Sequence, residues 1–120
     1  MNSFIARTLA FLAFLILGGH LRIHAQTTSR HVALRVDGLT SEERDQLSAD
    51  LVQRGDLRIS FACVPAGILI LEPVSPERSA DSVRAMAATA LIHRLPAQRR
   101  SEVALSLSEA EELCSEARNR

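Results

Sequence analysis

Strand-like and helix-like stretches alternate along this chain in a fixed order, and each change of period is marked by capping or turn chemistry. In "HVALRV", Val32, Leu34 and Val36 fall on one side and His31, Ala33 and Arg35 on the other, the two-residue period of a half-buried strand. Asp37 and Gly38 close it. Thr40 followed three residues later by Glu43 forms a capping box, and the acids Glu42 and Glu43 suit the positive end of a helix dipole. Leu47, Leu51 and Val52 recur at helical spacing, Arg54 lies in the last turn, and Gly55 can take the left-handed conformation that ends a helix.

"LRISFACV" alternates again, with Leu57, Ile59, Phe61 and Cys63 on one face and Arg58, Ser60 and Ala62 on the other. "PAG", residues 65–67, is turn chemistry, with Pro at a first central position and Gly at the exit. "ILIL", residues 68–71, is apolar on both faces, the mark of a central strand, so a hairpin is expected. A second helix is expected from Ser75 as cap and Pro76 in the first turn, carrying Val83, Met86, Ala87, Ala90 and Leu91 on one face. "EVALSL" alternates through Val103, Leu105 and Leu107, and Ser108 with Glu111 reads as a second capping box before a short polar helix holding Leu113 and Cys114.

The resulting order is strand, helix, strand, strand, helix, strand, with a helical tail. Two split strand-helix-strand units are the plan of an α+β ferredoxin-like sandwich, an antiparallel sheet with two helices on one face. One core is expected between sheet and helices, built from Val32, Leu34, Val36, Leu47, Leu51, Ile59, Phe61, Ile70, Val83, Met86, Leu91 and Leu105. The domain is expected over residues 31–107, after a short segment at 26–30, with the tail at 108–120.

Residues 1–25 are set apart as a secretory signal peptide. Arg7 precedes an almost wholly apolar run, "TLAFLAFLILGG", and a polar stretch that closes at "IHA" with Ala25. The run is about a dozen residues, against the roughly 20 that a membrane-spanning helix needs. Cleavage after Ala25 leaves 120 − 25 = 95 residues, enough for one small core. An exported chain, periplasmic or secreted, is the expectation.

Removal of the leader takes away Arg7 and Arg22 and no acid, so the formal charge falls from 0 to −2. That is not the balance of a nucleic-acid binder. Of the four phenylalanines only Phe61 lies outside the leader, and the chain has no Trp or Tyr, so gripping bases or sugars by stacking is nearly excluded. All fourteen basic residues are Arg, which excludes lysine Schiff-base chemistry.

From His31 to about Leu107 the chain resembles a heavy-metal-associated domain of the copper-chaperone type. In that family the first strand leads into a Gly-Met-x-Cys-x-x-Cys loop. Against "GLTSEER", Leu39 stands at the Met position, Ser41 at the first Cys and Arg44 at the second. "ILILEPVSPE" is similar to the family's third strand, its acid-Pro ending and the start of its second helix. The resemblance implies the ferredoxin-like scaffold without its metal. Soft cations require deprotonated sulfur, whereas Ser41 keeps its proton and Arg44 places a fixed positive charge where the ion would sit.

Other candidates for chemistry are few. His31 and His93 would need to converge to hold a metal or exchange protons, and their spacing gives no reason to expect it. No Gly-x-Ser-x-Gly elbow is present to activate a serine, and Glu109, Glu111, Glu112 and Glu116 lack the glycine and alternating ligands of a calcium loop. Two cysteines, Cys63 and Cys114, are expected to pair in an exported chain, and a loop of this size contributes roughly 4 kcal/mol in the chain-entropy model. Against pairing, Cys63 falls on the face that the helices should cover, and the strands leading to the two cysteines belong at opposite edges. A disulfide and a buried free Cys63 therefore stand as alternatives. The expected function is a non-enzymatic, cofactor-free exported module that binds a protein or peptide, with no nucleic-acid partner and no membrane span after leader cleavage. The alternative is residual metal binding through Cys63, Cys114 or the histidines. Mass spectrometry of the exported protein should give a chain beginning at Gln26, and a mature chain that begins at Met1 would overturn the leader.

Overall fold

The structure, a computed structural model, describes residues 30–120, so the expected leader and cleavage point lie outside the described residues. The order along the chain is β1 (Val32–Val36), α1 (Ser41–Arg54), β2 (Leu57–Cys63), β3 (Ile68–Pro73), α2 (Ala80–Leu91), a single 3-10 turn (Ala97–Arg99), β4 (Arg100–Val103) and α3 (Leu107–Arg118). The four strands form one antiparallel sheet in the order β2-β3-β1-β4. The described residues thus form an α+β domain, a four-stranded antiparallel sheet with three helices. No helix among the described residues is long and apolar enough to cross a membrane.

Local chemistry places most of these boundaries. Thr40 Oγ1 accepts from the Glu43 N–H at 3.1 Å while the Glu43 carboxylate accepts from the Thr40 N–H at 3.0 Å, so α1 opens on the capping box read from the sequence. It ends at Gly55, whose left-handed backbone (φ 73°) turns its N–H onto the Leu51 carbonyl at 2.9 Å. The β2–β3 turn runs through Val64-Pro65-Ala66-Gly67 and is closed by a Gly67 N–H to Val64 carbonyl bond of 3.1 Å. Gly67 has φ +65°, its carbonyl accepts from the Val36 N–H at 2.7 Å, and a Cβ there would collide with the Val36 carbonyl. Only glycine permits that approach of the hairpin to β1.

Two boundaries differ from the sequence reading. The second helix is capped by Ser79, which accepts from the Ser82 N–H at 3.2 Å; Ser75 and Pro76 lie in the preceding turn. The last helix is capped by Ser106 with Glu109 rather than by Ser108 with Glu111, and it starts where the expected strand was to continue through Leu107. Ser106 with Glu109 has the same spacing as Ser108 with Glu111, so two capping boxes overlap in the sequence and the earlier one starts the helix. Val52, expected on the buried side of α1, is 78% exposed, because Leu47 and Leu51 alone satisfy the one-turn spacing toward the sheet.

The larger correction concerns the core, which is two clusters, one on each side of the sheet. α1 and α2 cover one face, where Val32, Leu34, Val36, Leu39, Leu47, Leu51, Leu57, Leu69, Leu71, Val83 and Leu91 are buried together. The opposite face gathers Ala33, Cys63, Ile68, Ile70, Ala110 and Cys114, with Phe61, Val103, Leu105 and Leu113 packed around them. Phe61, Ile70 and Leu105 therefore do not join the helix-covered core as expected. For Ile70 the reason is the period of two: in β3, Leu69 and Leu71 face α1 and α2, so Ile68 and Ile70 face away. For Phe61 the reason is a β-bulge. Ile59 pairs with Leu71 and Phe61 with Ile70, so Ser60 is an extra residue in β2. Its hydroxyl donates to the Ile70 carbonyl at 3.3 Å. Past this point the alternation is inverted: Leu57 and Ile59 face α1 and α2, whereas Phe61 and Cys63 face α3.

These placements set the expected stabilities. In urea denaturation Leu69→Ala should cost about 2 to 5 kcal/mol, whereas Val52→Ala should stay within about 0.5 kcal/mol. Phe61→Ala should fall below the about 3 kcal/mol minimum typical of a fully buried ring, because its ring is only half-buried. A Val52→Ala loss as large as that of Leu69→Ala would contradict the orientation of α1.

Candidate functional site

The loop at which the resemblance would place a metal is occupied by a salt-bridged lock. Arg99, the last residue of the 3-10 turn, reaches across the end of β1 to the first turn of α1. Its Nη1 and Nη2 donate to the two Glu43 carboxylate oxygens at 2.6 and 3.1 Å. Nε and Nη2 also donate to the Asp37 carbonyl at 3.1 and 3.0 Å, and Nη2 to the Gly38 carbonyl at 3.1 Å. One planar guanidinium thus closes the end of β1, the loop and the helix cap together, a task suited to Arg because its donors form a rigid fork. Glu43 serves two partners at once, the Arg99 fork and the Thr40 N–H. These bonds, Arg99 first, hold its carboxyl down at about 2.

The two positions aligned with the family's cysteines do not converge on anything. Ser41 is exposed at the start of α1, and Arg44 turns aside to Asp45, with Nε to Oδ1 at 2.9 Å. Leu39, at the family's Met position, is buried in the α1/α2 core. Sequence reasoning singled out Ser41 and Arg44 and missed Arg99. The partner of Glu43 lies 56 residues away and no local pattern announces it.

His31 and His93 are not brought together. His31 is half-buried before β1, its Nε2 2.8 Å from the Leu105 carbonyl, while His93 is exposed past the end of α2 and lines a recess with Asp50, Gln53 and Arg94. Arg94 there ties α2 to α1 through Asp50, at 2.7 and 3.2 Å, and through Gln46 at 2.9 Å. Among the described residues no three His, Cys, Asp or Glu side chains gather as metal ligands. Glu109 is taken up by the α3 capping box, and Glu111, Glu112 and Glu116 are exposed along that helix.

Cys63 and Cys114 are joined by a disulfide, with Cα atoms 5.9 Å apart. Both arguments raised against the pairing have a structural answer. The bulge at Ser60 carries Cys63 to the face away from α1 and α2. β2 and β4 do lie at opposite edges, but α3 leaves β4 and returns beneath the sheet to β2.

An open cleft of about 840 Å³ lies at the β4 edge. Ala33, Val103 and Leu105 give it an apolar lining, and His31, Arg84, Glu102 and Ser106 surround them. Arg84 bonds Glu102 at 2.8 Å and Asp81 at 2.9 Å. Beside this cleft β4 has, among the described residues, no strand neighbour on its outer side. Val36 bonds Gly67 and Asp37 bonds Arg99, so odd-numbered residues of β1 face β4, and their partners there are Ser101 and Val103. The N–H and C=O of Glu102 therefore point outward along the free edge.

No family model, no curated protein and no solved structure matches this chain.

The Glu43 lock carries a definite pH signature. Its folded-state carboxyl is depressed, so its contribution is complete above the ordinary carboxylate value of 4.5 and is lost as pH falls from there toward about 2. Glu43→Gln should be less stable than wild type near neutrality, and the difference should shrink as pH is lowered through that window. Denaturation midpoints measured across the window check this; a difference that stays constant would contradict the role of the ionised carboxylate. Thr40→Ala should cost about 1 kcal/mol through the lost cap.

Proposed function

We propose that this chain is an exported, non-enzymatic interaction module built on a ferredoxin-like scaffold of the heavy-metal-associated type, and that it binds an extended peptide segment of a protein partner along β4. The scaffold reading is supported by the strand order β2-β3-β1-β4, with the first and third strands central and two helices on one face. α3 on the other face is an addition to that plan. The metal function is taken to be lost, because Ser41 and Arg44 supply no thiolate and Arg99 pins the loop that would have to wrap an ion.

The observation that carries the binding reading is the free β4 edge beside an apolar-lined cleft. An added strand would find the Glu102 N–H and C=O as ladder partners, and the cleft would receive a side chain of the incoming peptide against Ala33, Val103 and Leu105. Arg84 and Glu102 at the rim would set polarity. The opposite edge suits this less well, since the bulge at Ser60 interrupts β2. Residual metal binding is the weaker alternative: the disulfide takes both thiols, and His31 and His93 line separate recesses.

The test removes one outward donor and leaves the inner ladder intact. Glu102→Pro deletes the N–H on the free edge, whereas the bonds to β1 run through Ser101 and Val103. Purified mature chain used as bait on the envelope fraction should retain a partner that the Glu102→Pro chain, folded by its thermal transition, fails to retain. Equal retention by both chains, or none by either, would contradict strand addition at β4.

A further inference from the structure

The second face of the sheet is covered by a helix with little apolar surface of its own. In α3 Ala110 is fully buried, Cys114 is 4% exposed, and Leu113 and Ala117 are partly buried, while Leu107 is 47% exposed and Glu111, Glu112 and Glu116 face solvent. A twelve-residue helix is marginal by itself in water, and two small buried side chains contribute little to docking it. α1 and α2 are anchored differently, through Leu47, Leu51, Val83, Ala87 and Leu91 and through the Arg94 bonds to Asp50 and Gln46. The tether of α3 is chiefly the Cys63–Cys114 bond, whose Cys114 half lines an open recess of about 250 Å³ with Phe61, Glu111, Ser115, Arg118 and Asn119.

We propose that the Cys63–Cys114 disulfide is a reducible latch: a dithiol entering the recess beside Cys114 opens it, and α3 then leaves the sheet while β1–β4, α1 and α2 stay folded. One thiolate of the dithiol attacks the Cys114 sulfur, and the Cys63–Cys114 bond breaks with Cys63 leaving as a thiolate that takes up a proton. The second thiol of the reductant attacks the mixed disulfide, which frees Cys114 as a thiol and leaves the reductant as its own disulfide. Two electrons pass from the dithiol to the cystine. The opened state exposes Phe61, Ile68 and Ile70, an apolar surface hidden in the oxidised protein. This device is independent of what binds along β4.

Hydrogen–deuterium exchange of the protein before and after treatment with dithiothreitol tests it. The amides of Ala110–Arg118 should exchange at least about 100-fold faster after reduction, and those of β1 and β3 less than about tenfold faster, as expected of a local opening. Equal acceleration in β1, β3 and α3 would show a staple of the whole fold and overturn the proposal, as would an α3 whose exchange is unchanged. Brief treatment with glutathione followed by acid quench and peptide mapping should find the glutathione adduct on Cys114. An adduct confined to Cys63 would overturn the assignment of the attacked sulfur.

Discussion

The rest of the structure depends on a central strand that is apolar on both faces. β3 sends Leu69 and Leu71 to one side and Ile68 and Ile70 to the other, and all four are fully buried. Two helices can cover only one side of a four-stranded sheet of this size. The remaining side must either meet another layer or expose a patch large enough to drive association. The chain resolves this internally by returning α3 beneath the sheet. The small side chains Ala33 and Ala110 let the helix approach, and Arg35 turns to solvent where the cover ends.

The bulge at Ser60 makes the cover possible. Without the extra residue, Cys63 would share a face with Leu57 and Ile59 and would lie under α1 and α2, out of reach of Cys114. With it, one strand serves both cores in succession, and the sulfur arrives on the side where the helix returns. The crosslink closes 51 residues and fastens the far part of α3 to β2, the strand that the bulge has turned toward it.

Much of the fold was legible where the signal is local. The capping box at Thr40 and Glu43, the Gly55 stop, the Val64–Gly67 turn and the two-sided strand "ILIL" each follow from a few adjacent residues whose backbone needs are specific. The readings that failed depended on distance. A bulge has no marker in "LRISFACV", because an inserted serine looks like an ordinary outward residue until the partner strand is known. Ser106 and Ser108 each have a Glu three residues on, so local spacing alone does not choose between them as caps. At the candidate site, the loop positions Ser41 and Arg44 could be aligned from sequence, but the Arg99 lock and the free edge at Glu102 arise only once β4 lies beside β1.

Phe61 offers the most direct test of the two-sided core, since it is the only Phe, Tyr or Trp outside the first 25 residues. In a proton nuclear Overhauser spectrum the account predicts cross-peaks from the Phe61 ring to the side chains of Ile70 and Cys114. Cross-peaks from that ring to Leu47, Leu51 or Val83 would place it under α1 and α2, and would contradict both the bulge and the layer that α3 forms.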